Sequence, residues 1–226
     1  PVVIGDAPAG VAPPRGVRRW IRPAVVGLAG AAVAAAALAG WLVTWTGDRS
    51  ARPDAARALE KDGRFAAAGD EYARLYAGDR NKLASVLWDL QTQAADARRT
   101  AECVPLLRRL ERLYAAAEPP RVANLSRWDV VNSLAWYLAT DPALGASAGP
   151  EARRFADEAL ALAGTDGALR PQALDTAAAA AARDGRFDAA VERIDEAIAA
   201  SSDDAARADF RRRREAYAAG RPWDGP

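Results

Sequence analysis

Asp62-Gly63-Arg64-Phe65-Ala66-Ala67-Ala68 returns almost letter for letter as Asp184-Gly185-Arg186-Phe187-Asp188-Ala189-Ala190. In both copies a glycine stands where two helix-like runs meet, and a phenylalanine opens the second run. Glycine reaches left-handed dihedrals without steric cost, so each stretch predicts a tight turn that closes one helix and starts the next. Working outward from these turns, apolar residues recur at three- and four-residue spacing. They predict helices over residues 52–62, 65–77, 80–97, 101–117, 126–139, 150–163, 168–183, 187–200 and 203–219. Ser126 with Asp129 has the spacing of a capping box, and Pro150 suits a first helical position after Gly149. Gly220 and Pro222 close the last helix. No stretch sustains two-residue alternation, so no sheet is expected.

Half of the 226 residues are hydrophobic, but alanine dominates that half. Alanine is the best helix former and a poor strand former, which makes an all-α fold the expectation. The 31 basic and 30 acidic residues leave a net charge of +1, without the bulk positive field of a dedicated nucleic-acid binder. There is no histidine, so the commonest general base and the commonest metal ligand are missing. The single cysteine, Cys103, has no partner in the chain for a disulfide or a thiolate cluster. No catalytic residue, cofactor site or metal site is expected, and no small-molecule substrate.

The turn and its flanking helices resemble the tetratricopeptide repeat (TPR), a helix-turn-helix unit of about 34 residues with small residues where its helices pack. In that scheme Ala68, Cys103, Ala152 and Ala190 share the small position early in the second helix, at separations of 35, 49 and 38 residues. Residues 125–223 resemble bacterial TPR domains more narrowly. Asn132-Ser133-Leu134-Ala135-Trp136-Tyr137-Leu138-Ala139-Thr140 is similar to their opening helix, and Leu174-Asp175-Thr176-Ala177-Ala178-Ala179 to a later one. Arg214-Glu215-Ala216-Tyr217, followed by Gly220-Arg221-Pro222, is similar to their polar terminal helix. The signature Trp-Leu-Gly-Tyr set is incomplete throughout.

The resemblance implies a TPR-like α-solenoid of antiparallel helix pairs over residues 52–220, with a tail at 221–226, serving as a scaffold for protein partners. In that family the first helix of each pair lines a concave groove. Its register places Trp88 and Thr92, then Asp129, Asn132 and Trp136, then Gln172, Asp175, Ala179 and Arg183 on the groove surface. Trp and Arg are typical binding hot spots. The competing reading is that both tryptophans fill core between helices, as tryptophan often does. Cys103 reads as a small buried side chain rather than a redox group. The run Arg211–Arg214 reads as part of a solvated cap helix, with Asp203, Asp204, Asp209 and Glu215 at pairing distance.

The N-terminal quarter has a different character. Residues 1–22 form an arm rich in proline, glycine and arginine, expected to be extended. Residues 23–46 are expected to form one transmembrane helix, followed by a linker at 47–51. No charged side chain occurs from Ala24 to Thr46, a run of about 34 Å as helix, against a hydrocarbon core of about 30 Å. Trp20 before it and Trp41 and Trp45 near its far end suit the two membrane interfaces. A cleavable secretory signal is the alternative, but the run is long for one. Gly27, Gly30, Ala31, Ala34, Ala36 and Gly40 make small-xxx-small spacings of the kind that let membrane helices pack closely; alanine-rich composition alone also accounts for them. Arg15, Arg18, Arg19 and Arg22 favour a cytoplasmic N-terminus and a periplasmic repeat domain in a bacterial inner membrane.

Together these features predict an accessory or stabilising subunit of a membrane protein complex, respiratory or photosynthetic complexes being examples. Its partners would be other protein subunits, chiefly integral membrane proteins. The alternative is a membrane-anchored assembly factor or receptor that binds client proteins transiently.

Overall fold

The structure, a computed structural model, describes residues 53–224. Among them every regular element is helical. Helix α1 covers residues 53–61, and α2 (Phe65–Leu75), α3 (Arg80–Asp96), α4 (Thr100–Tyr114) and α5 (Arg127–Thr140) follow. Two short 3-10 turns, Pro142–Leu144 and Ala146–Ala148, lead into α6 (Gly149–Ala163), α7 (Arg170–Arg183), α8 (Phe187–Ala200) and α9 (Asp204–Ala218). The only strand-like pairing among the described residues is an isolated bridge between Val122 and Leu125. This part of the chain is all-α.

The helices fall where the apolar spacing predicts them, with one clear correction. Helix α4 stops at Tyr114 rather than running to residue 117. Ala115 and Ala117 are exposed and find nothing to pack against, and the residue before Pro119 disfavours helical dihedrals.

The repeated heptapeptide does fold as a repeated turn. Gly63 and Gly185 take positive φ of 69° and 75°. In one turn Arg64 N–H donates to the Leu59 carbonyl at 2.8 Å and Gly63 N–H to Glu60 at 2.9 Å. In the other, Arg186 N–H donates to Ala181 at 2.9 Å and Gly185 N–H to Ala182 at 3.0 Å. This is the Schellman closure of a helix C-terminus. A third copy, invisible as sequence, joins α3 to α4. There Arg98 takes the left-handed place at φ 55°, Arg99 N–H donates to Ala94 at 2.8 Å, and Arg98 N–H donates to Ala95 at 2.9 Å. The residues that begin the next helix, Arg64, Arg99 and Arg186, share φ/ψ pairs of −91/62°, −99/59° and −95/67°.

Consecutive helices pack on each other, and α5 also meets α7, as α2 meets α4. Where the connection is only three or four residues, as from α2 to α3, α3 to α4, α7 to α8 and α8 to α9, neighbours that pack run antiparallel. Successive hairpins therefore stack in two layers: α3, α5, α7 and α9 on one side, and α2, α4, α6 and α8 on the other. Ala68, Cys103, Ala152 and Ala190 are all fully buried at the interfaces of the second layer. Burial pushes the Cys103 thiol pKa up, which keeps it protonated and inert. The remaining core is leucine-rich, with Leu87, Leu90, Leu106, Leu107, Leu110, Leu134 and Leu138 sealed from solvent.

Helix α7 lies against α5, α6 and α8, and from Ala173 to Arg183 every residue is buried. A helix enclosed this fully needs small side chains to let its neighbours approach, which accounts for its run of alanines. At Gly149, the first residue of α6, a Cβ would stand 2.9 Å from the Asp184 Cα at the end of α7. Ion pairs then clip the layers at their rims: Arg127 to Glu158 at 2.6 Å, Arg153 to Asp184 at 2.5 Å, Arg214 to Asp195 at 2.6 Å. Partly exposed pairs of this kind contribute about 0–1 kcal/mol each.

No helix of the described residues is long and apolar enough to cross a membrane. The expected span at 23–46 lies outside those residues. So do the arm at 1–22, the linker at 47–51, Trp20, Trp41 and Trp45, and the small-residue face of Gly27, Gly30, Ala31, Ala34, Ala36 and Gly40.

Candidate functional site

A groove of about 420 Å³ opens on the layer of odd-numbered helices. Helix α3 contributes Trp88, Gln91, Thr92 and Ala95; α5 contributes Asn132, Ser133, Trp136 and Tyr137. Helix α7 contributes Gln172, Asp175 and Thr176, and α9 reaches in with Arg213. Each set sits three or four residues apart on its helix, the spacing of one face. Where the backbones of α3 and α5 diverge, side chains bridge the gap: Gln91 Nε2 donates to the Tyr137 hydroxyl at 3.4 Å. Burial, together with the neighbouring Cys103, pushes the Tyr137 phenol up to about 12, so it stays a neutral hydroxyl.

Both tryptophans are half-buried, packed against the core on one side and lining the groove on the other. The two competing readings of these residues are therefore not exclusive. Thr92 donates its hydroxyl to the Trp88 carbonyl of its own helix at 3.1 Å, and Gln172 donates to Ala168, in the turn before α7, at 3.3 Å. Asn132 Oδ1 is buried without a hydrogen-bond partner among the described residues.

The charged centre of the groove is Asp175. It is only 6% exposed, and its Oδ2 accepts from Arg213 Nη1 at 2.7 Å. Burial pushes its carboxyl up to about 6 even though the Arg213 charge pulls the other way. The Arg213 guanidinium also lies 4.9 Å from the Trp136 ring centroid and 5.8 Å from that of Phe210. This is cation–π geometry in a poorly hydrated setting, where such contacts are strongest.

The structure brings Trp88, Thr92, Asn132, Trp136, Gln172 and Asp175 together and leaves three expected residues out. Asp129 does not line the groove. Its carboxylate accepts from the Ser126 N–H at 2.6 Å, completing the capping box of α5. Ala179 is buried. Arg183 is buried too: its Nε donates to the Ala139 carbonyl at 2.6 Å and its Nη2 meets Asp224 at 2.8 Å. The solvated reading of Arg211–Arg214 also needs correction. Arg212 pairs with Asp209 and Arg214 with Asp195 at the surface, but Arg213 turns inward. The stripe Phe210, Arg213, Tyr217 carries the signal for this: the two aromatic residues mark the buried face of α9, and Arg213 lies between them.

A larger recess, about 570 Å³, lies by the α2–α3 turn and is walled by Asp79, by Arg80 at the start of α3, and by Glu118 and Arg121 from the α4–α5 connection. Its acidic and basic side chains alternate and build no convergent site. Set against known protein families, curated proteins and solved structures, the chain matches no family model, no curated protein and no solved structure.

Proposed function

We propose that this chain is a non-catalytic scaffold that holds protein partners in the groove between α3, α5, α7 and α9. In this reading residues 23–46 tether it in a bacterial inner membrane, with TPR-like repeats on the periplasmic side. It would serve as an accessory subunit of a membrane protein complex. The observation that carries this is the convergence of two half-buried tryptophans with amides and hydroxyls from three successive hairpins. Small-molecule pockets are mostly apolar with a few polar groups, whereas here Gln91, Asn132, Gln172, Ser133 and Thr176 make up much of the wall. Carboxamides both donate and accept, which suits the alternating main-chain groups of a polypeptide. Tryptophan faces beside them suit the side-chain anchors that dominate protein interfaces.

The test is purification of the full chain from its native membranes in mild detergent, followed by identification of what accompanies it. A stoichiometric partner supports a permanent subunit, and substoichiometric clients support a transient receptor instead. Trp88→Ala is expected to remove the partner while the melting transition stays cooperative. Loss of the partner only alongside early melting assigns Trp88 to the core. Gly30→Leu with Ala34→Leu asks whether the membrane segment contributes, since bulk there blocks close helix approach.

A further inference from the structure

The concave layer continues past the tryptophans. Asp175, Ala179 and Arg183 succeed one another at one-turn intervals along α7, and the last is covered by the segment that follows α9. That segment, residues 221–224, has no regular structure. Arg221 N–H closes the C-terminus of α9 by donating to Ala216. Beyond it, residues 222–224 make no backbone hydrogen bond to the described residues. What holds them is side-chain chemistry. The Trp223 ring is half-buried, 5.7 Å from the Arg213 guanidinium that also faces Trp136. The Asp224 carboxylate meets Arg183 at 2.8 Å.

The exposures of that last pair are unequal. The Arg183 side chain is 6% exposed and Asp224 is 51% exposed. A buried guanidinium must have an anion beside it, and among the described residues the carboxylate paired with it is Asp224 alone. The fold has therefore placed a permanent cation where only a short, side-chain-held segment supplies the counter-charge. The fit is also incomplete. Trp223 Nε1, Tyr217 OH, Arg213 Nε and Asp175 Oδ1 are all buried with no hydrogen-bond partner among the described residues. Tyr217 feels the charges of Asp175, Arg213 and Arg183 together, so these groups form one polar cluster.

We propose that the Arg183–Arg213 end of the concave layer recognises an extended peptide in which an aromatic residue is followed by a carboxylate, and that Trp223-Asp224 occupies this site in cis until such a partner displaces it. Arg213 takes the ring and Arg183 takes the carboxylate. The proposal rests on the groove reading above and supplies the chemistry of the partner.

The probe is a labelled synthetic peptide with the sequence of residues 219–226, titrated into the full chain in mild detergent and followed by anisotropy. The unaltered chain binds it weakly, because the tethered segment competes at high effective concentration. Trp223→Ala with Asp224→Ala in the full chain should bind the added peptide roughly tenfold more tightly than the unaltered chain does. A peptide carrying asparagine in place of the aspartate, or alanine in place of the tryptophan, should lose roughly tenfold. The milder variant Asp224→Asn leaves the ring seated, guarding against a double variant that unfolds; it too should gain peptide binding over the unaltered chain. If neither variant binds the peptide better than the unaltered chain, the proposal is wrong. Binding that ignores both peptide substitutions overturns it as well. The titration needs no cellular partner. A chain that binds the peptide but purifies alone refutes the scaffold reading and keeps this site, and the converse result does the opposite.

Discussion

Arg98 holds a left-handed backbone, φ 55°, at the position that glycine occupies in the two matching turns. A side chain there costs about 1–2 kcal/mol through the clash of Cβ with the following carbonyl. The Arg98 side chain is exposed. Arg98→Gly should therefore stabilise the helical unit, by about 0.5–1 kcal/mol once the added freedom of glycine in the unfolded chain is subtracted. Equilibrium denaturation checks this, and no gain or a loss would mean that the arginine makes a contact worth the strain. The same residue marks a limit of sequence reading. Gly63 and Gly185 announced their turns because their dihedrals demand glycine, whereas Arg98 adopts the same geometry under tertiary constraint and leaves no trace in the letters.

Asp175 carries a charge that its burial disfavours. Its carboxyl is pushed up to about 6 by burial, against an ordinary value of 3.8. A group raised on folding contributes stability that is fully present below its unfolded value and lost as pH rises through its folded value. Between about pH 4 and 6 the unaltered protein should thus lose up to about 3 kcal/mol relative to Asp175→Asn, since each pH unit of that window is worth about 1.4 kcal/mol. Denaturation of both proteins across the window measures the difference. Parallel pH profiles would mean that Arg213 fully compensates the burial. The register of α7 placed Asp175 in the groove, whereas only the Phe210, Arg213, Tyr217 stripe hinted that α9 would turn a cation toward it.

At the scale of single helices, the first turn of α2 shows how the hairpins are fastened. Its N-cap residue, Arg64, makes no side-chain cap. The free Ala66 N–H instead donates at 2.7 Å to Glu102 Oε2, from the first turn of α4. One carboxylate thereby satisfies a helix end two elements away and sits in the favourable field of that N-terminus. Glu102→Ala should cost about 1 kcal/mol, the usual worth of a cap, read as a lower denaturation midpoint with an unchanged slope. An unchanged midpoint would show that water replaces the cap at no cost.

Helix existence was legible because amphipathic spacing or a turn residue marks each helix, even where, as between α3 and α4, the turn itself carries no glycine. The burial of α7 on every side was not, because an alanine run carries little periodic contrast. Nor was the inward turn of Arg213. Four consecutive arginines read as solvated charge until Phe210 and Tyr217 are recognised as the buried face on which Arg213 falls.

The molecule as a whole joins a helical unit, described from residue 53, to an N-terminal stretch whose apolar run is long enough to span a membrane. In the described unit, alanine contacts and rim ion pairs tie the two layers to each other. On the layer of odd-numbered helices, side chains of α3, α5, α7 and α9 line a groove. Tethering would raise the effective concentration of any partner held in the same membrane, so modest contacts in that groove can hold a complex together.

A protein partner seated in this groove would be caught by site-specific photo-crosslinking in native membranes. A photoreactive side chain placed at Thr92 or Gln172, both exposed at the groove, leaves the packed residues untouched. The same probe at Arg154 or Glu192, exposed on α6 and α8, reports on the opposite layer. A discrete cross-linked product is expected from Thr92 and Gln172, lost on Trp88→Ala, and none from Arg154 or Glu192. Equal products from all four positions, or none from the groove, would contradict a partner seated there.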